Sequence, residues 1–145
     1  MPVDVDAVLI KVQRILTEDE TVAIDRDGNL TIPLHSVDVR VRVDAHPNGR
    51  ATLVSIEAPV LHAVKPSPEL DKHIAFQGHR WIFGRLGLSM REDGLCDVTV
   101  SHTLLGDFLD REELRYVVHG IARSVETADD ALLSQFGGAL PGASK

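Results

Sequence analysis

Val5, Val8, Leu9, Val12, Ile15 and Leu16 recur in steps of three and one, which draws one apolar stripe along a helix that Asp4 can cap. The period then falls to two. "TVAID" and "LTIPLH", separated by the turn "RDGN", read as a hairpin, and Pro33 places its strand at an edge or a bulge because it has no amide to donate. The clearest strand is "SVDVRVRVD", with Val37, Val39, Val41 and Val43 on one parity and Asp38, Arg40, Arg42 and Asp44 on the other. The spacing predicts a sheet with one dry and one wet face. Asn48-Gly49 turns the chain into "ATLVSIEAPVL", whose Val54, Ile56 and Val60 share a parity.

"KPSPEL" interrupts the strands, and Pro68 suits the first turn of a short helix through about Phe76 with Leu70 and Ile74 on one face. A strand is expected next, yet in "HRWIFGRLGL" both parities are apolar: Trp81 and Phe83 on one, Ile82, Leu86 and Leu88 on the other. If the second set joins the core, the two rings and Arg85 project on the polar side of the sheet. Three explanations stand open: burial within the monomer, for instance through a bulge and parity switch at Gly84; a subunit interface; or an open site for a partner. After the turn "REDG", "LCDVTVSHTLL" alternates Cys96, Val98, Val100 and Leu104 with Asp97, Thr99, Ser101 and Thr103.

The last element is the longest. Asp110 caps it, and Leu114, Val117, Val118, Ile121, Val125, Ala128 and Leu132 follow at helical spacing until Gly137–Gly138. The fold class expected is therefore α+β: an antiparallel sheet of five to six strands packed against an N-terminal and a long C-terminal helix, with a short helix between strands. One domain over residues 1–138 fits the length of 145, and "GGALPGASK" suggests a loose tail over 139–145.

Composition narrows the function. Fifteen basic against 22 acidic residues give a net charge of −7, the wrong sign for tracking nucleic-acid phosphates. No apolar run approaches the ~20 residues of a membrane span, and the lone Cys96 agrees with a reducing compartment, so a cytoplasmic protein without nucleic-acid or membrane partners is expected. Seven histidines stand outside any metal-binding spacing, and no cofactor motif occurs. Cys96 falls on the core parity of its strand, which makes it a packing thiol, and no nucleophile and base can be paired. Glu18, Asp19 and Glu20 read as solvated surface. No metal, no cofactor and no catalytic residue are expected.

The element order, with "RWIFGRLGLSMREDG", "SHTLLGDFLDREEL" and "ALLSQFGG", resembles the actinobacterial branch of the YbjN-like and type III secretion chaperone-like superfamily from the first helix to Gly138. The resemblance implies a small, acidic, commonly dimeric chaperone-like domain that holds a protein or peptide client and catalyses nothing. On that reading Trp81, Phe83 and Arg85 of the double-faced stretch, with Leu70, Ile74 and Phe76 of the short helix, are the candidate contact residues for a client or a second subunit. The rival reading is a small-molecule sensor or regulatory domain with an apolar pocket between long helix and sheet.

Overall fold

In a computed structural model describing residues 3–141, the chain runs α1 (Val5–Thr17), β1 (Ala23–Ile24), β2 (Leu30–Leu34), β3 (Val37–Ala45), β4 (Thr52–Val64), α2 (Pro68–Gln77), β5 (Arg85–Met90), β6 (Cys96–Leu105) and α3 (Arg111–Phe136). All strand pairings are antiparallel, and the sheet order is β1-β2-β3-β4-β6-β5. The α+β architecture expected from the sequence is the one observed.

Two of the three helix caps, Asp4 and Asp110, are those expected from the sequence; the third is Ser67. Asp4 accepts from the Ala7 amide, Ser67 from the Leu70 amide ahead of Pro68, and Asp110 from the Glu113 amide. Each satisfies an amide that the first helical turn leaves without a partner. Val12, Ile15 and Leu16 of α1 and Leu114, Val117, Val118, Ile121 and Val125 of α3 are buried with Val39, Val41, Val54, Ile56 and Val100 of the sheet. Both helices cover one face. The other carries Asp38, Arg40 and Arg42 of β3, all exposed, so the alternation read in that strand corresponds to one dry and one wet side. Pro33 pairs with Asp38 beyond the reach of β1, which meets only Leu30 and Thr31.

Two local departures shape the surface. β4 slips register between Pro59 and Val64, and there Ala63 takes φ +56°. The amide of Ala63 donates to Asp97 Oδ1 at 3.0 Å, while His62 exchanges both backbone hydrogen bonds with Ala139. The expected loose tail thus begins with a bonded residue; its last four, 142–145, lie outside the described residues.

The second departure is at the double-faced stretch, which is not one strand. Gly78–Arg80 form a single 3-10 turn, residues 81–84 bend, and β5 starts only at Arg85. Gly84 has φ +85° and passes so close to β6 that a Cβ there would lie 2.8 Å from the Ser101 carbonyl oxygen. Only glycine fits that approach. The expected alternation breaks at this point: Ile82 is 85% exposed, whereas Leu86 is buried and Leu88 half-buried.

Candidate functional site

Because Gly84 resets the parity, Phe83 turns to the helix side of the sheet instead of its polar side. Its ring packs edge-on to His102 of β6 and Tyr116 of α3, with centroids 6.0 and 5.8 Å away. The Gly84 amide, donating to His102 Nδ1 at 3.0 Å, ties the bend to β6. Trp81 and Phe83 are both half-buried against the core, which fits the first of the three explanations left open by the sequence, burial within the monomer with a change of parity at Gly84.

Between this bend and α3 lies an open groove of about 430 Å³. Phe83 and the bare backbone of Gly120 line it, and Ile82 and Tyr116 stand on it, 85% and 72% exposed. Arg123 also lines it. The volume is in the range of ligand clefts, about 300–1,000 Å³. Two bulky apolar groups turned to solvent over a half-buried ring offer contact area with few polar groups to desolvate.

The charges around the groove are ordered. Arg111, Arg115 and His119 follow one another at four-residue spacing along α3, and three consecutive acids of the α1–β1 connection meet them. Glu18 pairs with Arg111, Asp19 with Arg115, and Glu20 with His119 at 3.1 Å. Glu18 and Asp19 are exposed and Glu20 half-buried, on the surface as expected, and through these pairs they also fasten a loop to α3. Arg123 is the next member of the row, and no carboxylate among the described residues lies within 4 Å of it.

The other sequence candidates are dispersed. Leu70 is 1% exposed and belongs to the core. Ile74 of α2 and Arg85 of β5 line a separate shallow depression with His79, and Phe76 projects from the end of α2, 63% exposed. The sequence reading missed Tyr116, Gly120 and Arg123. Gly120 was the available signal, since a glycine inside a 26-residue helix costs about 1 kcal/mol relative to alanine and commonly marks a close approach.

On the opposite face, Asp97 receives the Ala63 amide and lies beside His62 and Arg91. Its partial burial opposes ionisation, but the Ala63 amide, His62 and Arg91 outweigh that and hold its pKa below the ordinary carboxylate value. Cys96 is buried, and among the described residues no three His, Cys, Asp or Glu side chains converge as a metal site. No described helix is long and apolar enough to cross a membrane.

The fold is thus a one-sided antiparallel sheet closed by a long C-terminal helix, with an apolar groove against that helix. The family model of the peptide-binding chaperone 1 proteins of type III secretion (YopN, CesT) and YbjN, TY-Chap1, matches residues 5–141, and the chain belongs to that family. Three solved structures share the fold. The ExsC–ExsE complex aligns with TM-score 0.62 at 17% identity over 86% of this chain and 95% of the other. YbjN from E. coli aligns with TM-score 0.62 at 19% identity over 92% and 96%. The Yersinia pestis type III secretion chaperone SycH, in complex with a fragment of YscM2, aligns with TM-score 0.53 at 9% identity over 86% and 98%. Comparison with curated protein sequences gave no match.

Proposed function

We propose that this protein is a non-enzymatic, cytoplasmic chaperone-like module that holds a segment of a partner polypeptide in the groove between α3 and the 81–84 bend. The observation that carries the reading is the pairing of solvent-facing Ile82 and Tyr116 over the Phe83 ring. Family membership supports a peptide as the occupant, and two of the structures that share the fold are of complexes with a protein or a protein fragment.

The remaining candidates fit self-association. Ile74 and Arg85 line one depression beside β5, an edge strand with Met90 exposed at its end, and we assign this side, with the exposed Phe76 of α2, to a homodimer contact. Trp81, packed against the core, supports the bend.

Selection from a displayed random-decapeptide library tests the groove. The protein should enrich defined sequences, and Tyr116→Asp should weaken the best synthetic peptide at least tenfold, the scale of an aromatic hot spot, with circular dichroism unchanged. No enrichment, or enrichment indifferent to Tyr116, overturns the assignment. Light scattering tests the dimer, which requires about twice the chain mass of 15.8 kDa.

A further inference from the structure

The ion-pair row along α3 defines the chemistry of the occupant. Three basic side chains at four-residue spacing, Arg111, Arg115 and His119, are each met by an acid of the chain itself, and the acids end at Glu20. Arg123, the fourth, lines the groove with its charge unpaired among the described residues. With Arg115 and His119 each already partnered by an acid, Arg123 is the uncompensated charge on its side of the groove among the described residues. Glu112, also at the groove, lies two helical turns or more away along α3 and reaches only Arg111, at 3.9 Å.

We infer that the groove takes an acidic-apolar segment of a partner polypeptide, in which a bulky apolar side chain enters between Ile82, Phe83 and Tyr116 while a neighbouring carboxylate pairs with Arg123 and extends the row. This rests on the peptide-binding reading above. A guanidinium favours a carboxylate through two parallel hydrogen bonds, which fixes the direction in which the segment lies. The preference opposes the net charge of −7, which repels acidic chains from the molecule as a whole. Only a local cation can create it.

The decapeptide library supplies the test. Selected peptides should carry Asp or Glu next to a large apolar residue, and the same selection on Arg123→Glu should replace the acid by Lys or Arg. For a synthetic peptide from the first pool, changing its acid to the amide should weaken binding about two- to fivefold at low salt, and the difference should shrink at high salt, as expected for an exposed pair. Arg123→Lys should retain part of the preference. If peptides are enriched without acidic bias, or the bias survives Arg123→Glu, the inference is overturned while the peptide-binding reading stands. If no peptide is enriched, both fall.

Discussion

The Phe83 ring rests on the backbone of Gly120: a Cβ on that glycine would lie 2.6 Å from Phe83 Cδ2. The contact joins the end of an irregular bend to the middle of α3, and two opposing effects decide what alanine would do there. Gly120→Ala favours the helix by about 1 kcal/mol through propensity alone, but it expels a ring packed on His102 and Tyr116. Overpacking, at about 1–3 kcal/mol, should outweigh propensity. Gly120→Ala should lower the urea midpoint and shift the Phe83 ring resonances, whereas Ala at a merely exposed helix position would raise the midpoint.

The row of pairs between residues 18–20 and α3 should matter for the position of the loop more than for total stability. All three pairs are partly exposed, and such contacts contribute about 0–1 kcal/mol each. Replacing Glu18, Asp19 and Glu20 together by Lys should cost on the order of 1–2 kcal/mol in dilute salt and much less at 1 M salt. Amides of residues 18–22 should exchange faster in hydrogen-exchange measurements while those of α3 stay protected. An equal loss at both salt concentrations would mean that the loop is held by packing.

Asp97 links the β4 irregularity to pH. Its folded pKa lies below the unfolded value of 3.8, so the stabilisation is fully present above that pH and is lost as pH falls through the depressed folded value. Denaturant melts of the wild type should therefore weaken, as pH falls below about 4, more steeply than those of Asp97→Asn, which carries no charge to lose. At neutral pH the same variant should be the less stable of the two.

Ala63 holds a left-handed backbone at φ +56°, a conformation that costs an L-residue about 1–2 kcal/mol. Glycine removes that cost but adds unfolded-state freedom. Ala63→Gly should be neutral or stabilising by up to about 1 kcal/mol in thermal melts, and Ala63→Val clearly destabilising.

Thr52 is fully buried, and its Oγ1 has no hydrogen-bond partner among the described residues, although its amide reaches Asp107 and its carbonyl the Gly106 amide. Thr52→Val exchanges the hydroxyl for a methyl group of similar shape. It should raise stability by about 1 kcal/mol. A decrease would point to a buried water bonded to the hydroxyl.

Legibility in the sequence followed the distance over which each feature is decided. The alternation of Val37 to Val43 with Asp38 to Asp44 and the stripe from Leu114 to Leu132 stated their own burial, because each is set by one element facing one core. Pro68 and Asp110 announced helix starts for the same reason. The bend at 81–84 was legible only as one of three possibilities, since the direction of Phe83 depends on how closely Gly84 passes the Ser101 carbonyl on another strand. The groove was hidden in the same way. Tyr116 and Arg123 lie off the apolar stripe of α3 and acquire meaning only when a distant segment is laid beside them.

Pro33 and the two-residue β1 have a consequence for assembly. Beyond Thr31 the outer side of β2 meets no strand, and at Pro33 it has no amide with which to recruit one. One margin of the sheet is therefore a poor template for another chain, and β5 is left as the other. Strand-to-strand association between copies can start at β5 but has no second margin from which to continue. Such association should stop at two molecules, and sizing across a concentration series should show no species beyond the dimer.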